Sequence, residues 1–500
     1  MKLKVNITKL LLMTFIVLAF GIIAFVLFKY PEAGVADQGD FDRVMSVSGL
    51  QLPSKDFMDP NFERFYKYPV TDYKIAPFTI PRILITFTST SMSYLISIIS
   101  FICKAFGSDI FKTQYLAIAY GIIYTLSIYL IIRYLNIKNK LTLFLLAALS
   151  LFVLFDGNYL VWFNSLYGEP MMITTFTLYI ASWIYYIYHR YVLKSEKNIF
   201  STIILIFIAS FLFLGSKMQV IAALPVILVM LIKLLYENKN LLRPFKKVIC
   251  FLLLCILIIY PVQIQLKHKE MSKDTQYNSV FYGILKDSEN PRQDLINLGL
   301  NPDMASEAGK HSYLITSAYT KYIPHTLITE EDFYNKISSG KLIRFYITHP
   351  LRLVKGMEYT ANNAFSTGTK LGKYSKSYSS TPINSFNRFT LWSFLRNNML
   401  PKNLVFISLI YIFAIISSLF IYIKRKHLED LKHKIQLFWS ILFIGILQFP
   451  MPFIGNGQAD TTKQLFLFNF TFDIVLIVMI TYISHFIFNN KKVYKNRSSS

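Results

Sequence analysis

Hydrophobic positions gather in long blocks, at roughly 8–28, 82–106, 115–135, 141–157, 171–189, 199–215, 219–236, 247–263, 403–423, 435–453 and 465–487. Most approach the ~20 residues a helix needs to cross the hydrocarbon core of a bilayer. The pattern predicts an all-α polytopic membrane protein. Composition agrees: 54% of the 500 residues are hydrophobic and only 16% charged, where soluble domains carry about 25%. With 44 Phe and 33 Tyr, intrinsic disorder is excluded. The three cysteines, Cys103, Cys250 and Cys255, lie in apolar blocks and make no disulfide framework.

The net charge of +24 would point to nucleic acid in a soluble protein. In a membrane protein it is first a matter of topology, because cytoplasmic loops are enriched in Lys and Arg, and no nucleic acid is expected. If block 82–106 does not cross, the basic short loops all fall on one side. They are Lys2, Lys4 and Lys9; Arg133 to Lys140; Arg190 to Lys197; Lys233 to Lys247; Lys424 to Lys434; and the tail Lys491, Lys492, Lys495 and Arg497. The opposite short loops hold Lys217 and Lys463. The expectation is ten transmembrane helices with both termini cytoplasmic, and 82–106 as a helix docked on the outer face, its Thr and Ser residues suiting a partly wet position. The chain then divides into a basic segment and first span (1–30), an outer acidic loop with a surface helix (31–114) and a helical core (115–263). A large extracytoplasmic domain (264–402), last spans (403–487) and a basic cytoplasmic tail (488–500) follow. Segment 264–402 has 18 Lys and Arg against 11 Asp and Glu. That balance suits an anionic lipid phosphate or wall polymer, or simply a solvated surface. Within it, 366–381 reads as a mobile loop. The basic start and long first span, with no small-residue cleavage site, read as an uncleaved anchor.

Candidate chemistry falls on the outer side. Just after the first span stand Asp37, Asp40, Asp42 and Arg43. Crowded carboxylates raise one another's pKa. One can serve as a general base, two can hold a hard divalent cation (Mg or Mn), and a solvated acidic loop is the plain alternative. Glu169 precedes Pro170 at a helix start, where an acid also suits the helix dipole. Lys217 sits in a very short turn, as a snorkelling residue or a phosphate ligand. The last outer loop carries Asn456, Asp460 and Lys463, and Asp473 follows inside the last span as a structural hydrogen-bonding group. No Gly-Lys-Ser/Thr phosphate loop, His-Glu-x-x-His or Gly-x-Ser-x-Gly is present, which argues against an ATP-driven pump.

The stretches Ala36 to Arg43, Ser165 to Pro170, Phe281 to Leu285, Leu298 to Leu300, Gly455 to Asp460 and Leu465 to Asn469 resemble the GT-C glycosyltransferases. Closest is the Wsf-type glycan biosynthesis hexose transferase family of Gram-positive bacteria. Asn456 stands where that pattern leads one to expect an acid. The resemblance implies transfer of a hexose from a polyprenyl-phosphate-sugar donor to a cell-surface glycan or wall polymer, in an extracytoplasmic site of the cell membrane. It implies Asp37 as base, Asp40 orienting it or binding metal, and Arg43, Glu169, Lys217, Asp460 and Lys463 around the substrate. Two alternatives are an O-antigen-polymerase-like enzyme, which would use paired arginines in the large loop, and a lipid-linked sugar transporter or flippase, which would carry ionisable groups near the midplane.

Overall fold

The computed structural model describes residues 7–267 and 272–497. Lys2 and Lys4 of the basic start lie outside the described residues, as do the side chains of Lys491, Lys492, Lys495 and Arg497. The chain is mostly helical. Among the described residues, seven helices are long and apolar enough to span a bilayer: Ile7–Phe28, Thr113–Tyr134, Met218–Glu237, Pro244–Lys267, Leu404–Lys424, Glu429–Asn456 and Phe466–Ile487. Their outer faces expose apolar side chains, among them Val17, Phe251, Ile259, Ile416 and Phe420, and meet the lipid bilayer of a multi-pass membrane protein.

Three expected spans look different. Block 141–157 forms Lys140–Leu154 followed by Gly157–Phe163, with a 53° bend between them. At the bend Asp156 accepts from the backbone of Asn158 and Ser393. Ile199–Leu214 is apolar but short. Gly168–Ile187 is long enough and less apolar, because it is central: it buries nearly every side chain and packs against Thr113–Tyr134 and Ile199–Leu214. A helix surrounded by other helices touches protein on all sides and can carry Thr, Ser and Tyr where lipid would forbid them.

The expected single helix over 82–106 is two helices, Ile80–Phe87 and Ser91–Ala105. The break is held from outside: Tyr260 donates to the Ser89 carbonyl (2.6 Å) and the Ser91 N–H donates to Gly215 O (2.8 Å). The hydroxyl residues are not in a wet position. Thr86, Ser89, Ser91, Ser93 and Ser100 are buried against protein, while Ile80, Leu84, Phe87, Ile98, Phe101 and Phe106 face outward. Polar groups turned in and apolar groups turned out is the arrangement of a lipid-contacting surface. A small antiparallel sheet closes the first long loop, pairing Leu50 with Ile75 and Tyr73 with Phe111.

Segment 264–402 is built into the bundle. Its buried residues Tyr277, Phe281, Leu295, Phe333 and Phe365 share one core with Tyr411, Leu442, Phe453, Phe468 and Phe472 of the last helices. Asn456 fastens this junction, accepting from Asn278 (2.8 Å) and donating to Ala459 O. Gly457, at φ +59°, lies against Gly283 so closely that a side chain on either would collide with the other's backbone. Asn469 accepts from the Phe365 N–H (2.9 Å) and donates to Ser366 O (2.9 Å).

Candidate functional site

The first loop leaves its helix and runs as extended backbone between two supports. On one side Asn164 donates to Ala33 O (2.9 Å) and Tyr167 donates to Ala36 O (3.0 Å). On the other, the N–H groups of Gly34 and Ala36 donate to the carbonyls of Lys373 and Gly372. Segment 366–381, expected to be a mobile loop, is thus packed in place, with Leu371, Lys373 and Tyr374 buried. Lys373 meets carbonyls and the Thr369 hydroxyl rather than an acid, and burial lowers its pKa to about 8.

Asp37 is closed off. It is 1% exposed; one oxygen accepts from the N–H groups of Gly39 (2.7 Å) and Phe41 (3.2 Å), and the other from Arg64 Nε (2.8 Å). Gly39, at φ +105°, permits the turn that brings these donors round. Arg64 also grips Asp42 with both terminal nitrogens (3.0 and 2.7 Å). Asp42 therefore belongs with Arg64 and not with its neighbour Arg43. Burial raises the Asp37 pKa above the ordinary carboxylate value despite the Gly39 and Phe41 N–H groups and Arg64.

Asp40 points elsewhere. Its side chain is one-third exposed, bonded by Lys463 and, at 3.4 Å, by Arg43. Burial pushes its pKa up, but Lys463, Arg43 and Lys217 outweigh that and hold it at about 2. Lys463 stacks over the Tyr167 ring, 4.6 Å from its centroid. Burial disfavours the Lys463 charge, and Asp40, Glu169 and Asp460 more than restore it. Beside this pair lies a second: Lys217 donates to Glu169 Oε1 at 2.5 Å. Glu169 is fully buried, and its Oε2 has no hydrogen-bond partner among the described residues. Asp460 is exposed at the rim and accepts from Gln38 (2.9 Å). Tyr167 stands among Asp40, Asp37 and Glu169, and burial first, then those acids, hold its phenol protonated.

Four separate loops thus deliver Asp40 and Arg43, Glu169, Lys217, and Asp460 and Lys463 to one place. The sequence-derived set converges, except that Asp37 and Asp40 do not act as one pair. A divalent cation does not fit them: Asp37 is filled by Arg64 and two N–H groups, and Asp40 lies between two cations. Among the described residues no group of three His, Cys, Asp or Glu is placed to hold a metal. Sequence reasoning missed Arg64, one of several basic residues in a long loop with no spacing signal to link it to Asp37. It singled out Asp473 as a structural hydrogen-bonding group but missed its partner Arg396, in a buried pair below the site. There Arg396, 0% exposed, bonds Asp473, Tyr159, Thr367 and Phe365 O, and Asp473 also accepts from Tyr159 (2.8 Å) and Trp392 (3.0 Å).

No curated protein and no solved structure matches the chain. The family model described as the YfdI N-terminal transmembrane domain matches residues 1–499, nearly the whole length, and the chain belongs to that family.

Proposed function

We propose that the protein is a membrane glycosyltransferase of GT-C type, related to the Wsf-type hexose transferases. It takes a hexose from a polyprenyl-phosphate-sugar donor to a cell-surface glycan or wall polymer. The observation that carries this reading is the convergence of Lys217, Lys463 and Arg43 with Asp40 and Glu169 at one end of a membrane bundle, where cations can meet a lipid phosphate and a carboxylate can meet a hydroxyl. In this reading ten helices cross, both termini are cytoplasmic, and the site and the Ile80–Ala105 helix pair lie outside.

The reaction needs little from the protein beyond position and charge. The acceptor oxygen attacks the anomeric carbon, the bond from that carbon to the phosphate oxygen breaks, and the electron pair leaves on the polyprenyl phosphate. The acceptor proton passes to a carboxylate. Asp40 suits that role better than Asp37, because it is reachable and held by side chains alone, whereas both oxygens of Asp37 are spent on the loop. Asp37 then acts through Arg64 and the Gly39 turn as a positioning residue. Cations flanking the site serve the developing phosphate charge. Two of the five arginines of segment 264–402 are engaged in the fold, Arg352 on Asp294 and Arg396 on Asp473.

The test is transfer of radiolabelled hexose from polyprenyl phosphate to cell-surface polymer in membranes of a deletion strain. Complementation with the parent chain should restore it. Unchanged transfer in the deletion strain, across the available hexose donors, would sink the assignment.

A further inference from the structure

The three cations best placed for a phosphate are already occupied. Lys463 and Arg43 both bond Asp40, and Lys217 bonds Glu169. An anion cannot use them fully while the carboxylates stay where they are. A carboxylate clamped between two cations is also a poor proton acceptor. Resting on the donor reading above, we infer that the site works by exchange: a phosphate anion takes Lys463 and Arg43 away from Asp40, and Asp40 is set free as the base only when donor is bound.

Several features support this beyond the ion pairs. Among the described residues Asp40 accepts from no backbone N–H, unlike Asp37, and its bonds are to Lys463 and Arg43; its side chain is one-third exposed. Glu169 Oε2 is buried with no hydrogen-bond partner among the described residues. An orphaned carboxylate oxygen is costly to keep, and a sugar hydroxyl entering beside the phosphate would supply the missing donor. The groups facing Asp40 are Lys463, Arg43, Lys217, Tyr167 and Tyr313, and those facing Lys463 include Glu169 and Asp460. Removing Lys463 and Arg43 takes both bonded cations from Asp40 and leaves Lys217, itself paired with Glu169, as the cation still facing it, so proton uptake becomes easier. Donor binding and base activation become one event, and an acceptor entering alone meets a carboxylate that is still clamped. As the bond to the anomeric carbon breaks, the phosphate gains charge and holds Lys463 and Arg43 more tightly, which strengthens the exchange in the transition state.

The experiment measures binding by calorimetry to the full chain in nanodiscs of neutral lipid, with farnesyl phosphate as probe and inorganic phosphate and farnesol beside it. Asp40→Asn should bind farnesyl phosphate about tenfold more tightly than the parent, because the competing carboxylate charge is gone. The gain should vanish when Lys463→Met is combined with it, and Asp460→Asn should give a much smaller one. Asp40→Ser is the second variant should Asp40→Asn fail to fold. Equal affinity for inorganic phosphate would support exchange with the free ion as the anion; a clear preference for farnesyl phosphate over both controls supports the lipid. Binding to the parent with no gain, or a loss, in both Asp40 variants overturns the exchange and leaves the donor reading standing. No binding of either phosphate to the parent overturns the donor reading together with the exchange.

Discussion

Two acid–base pairs in this molecule have the same chemistry and opposite surroundings. Arg396 and Asp473 are both 0% exposed. The arginine is saturated by Tyr159, Thr367 and the Phe365 carbonyl, and Trp392 adds a donor to the aspartate. The pair ties segment 264–402 to the last helix and to the bend after Leu154. Asp40 and Lys463 form the other pair, drawn from the first loop and the last, and the carboxylate is partly open. Accessibility, more than the presence of charge, separates a fastening from the proposed working site. A buried pair fastened by Tyr159, Thr367, Trp392 and the Phe365 carbonyl resists exchange, even though Asp473 Oδ1 has no hydrogen-bond partner among the described residues; a half-open one held only by side chains permits it.

The largest expected effect is on chemistry. Asp40→Asn should lower sugar transfer about 10²- to 10⁴-fold, the usual range for loss of a general base, with the melting temperature in detergent little changed. Next, Arg396→Met should leave Asp473 buried without its cation and destabilise the fold by roughly 3–5 kcal/mol, read as an earlier denaturation midpoint. Arg64→Gln comes third. It strips a charge-assisted partner from Asp37 and from Asp42, at about 1.5–3 kcal/mol, and protease cleavage within 33–66 should accelerate. The smallest effect is in acid. The Asp40 pKa is held at about 2, below its ordinary value of 3.8. Its contribution to stability is therefore present above about pH 4 and lost as pH falls toward 2. Acid unfolding of Asp40→Asn should lack that component, so its stability should fall less steeply than the parent's over this window. A parallel fall in both proteins would show that Asp40 has no depressed pKa.

The site was largely legible in the sequence because short loops between spans are fixed in depth by the helices that carry them. Glu169, Lys217 and Lys463 had little choice but to lie at one level, and Asp40, directly after the first span, joins them. What was not legible depends on pairings that the long loops make freely. Arg64 reaches Asp37 across 27 positions and Asp42 across 22, and no periodicity announces it. Without Arg64 in view, Asp37 stood as the base, and nothing showed that both it and Asp42 are taken up by an arginine. The hydroxyls of 82–106 were visible, but their direction was not: the same Thr and Ser residues suit water or a polar protein face, and the contacts of Ser89 and Ser91 with Tyr260 and Gly215 decide for the latter. The apolar block 171–189 predicted an ordinary span, whereas the Thr and Tyr residues of Gly168–Ile187 reflect a central place in the bundle.

The most direct test of the distinction between the two pairs is transfer activity per folded molecule, measured side by side for the parent, Asp40→Asn and Arg396→Met, with folded protein counted by a conformation-sensitive size-exclusion assay. The account predicts that Arg396→Met, scarce as it is, stays within a few-fold of the parent per folded molecule, and that Asp40→Asn, abundant and folded, falls at least about 10²-fold. Full activity in Asp40→Asn, or an equal loss in both variants, would contradict it.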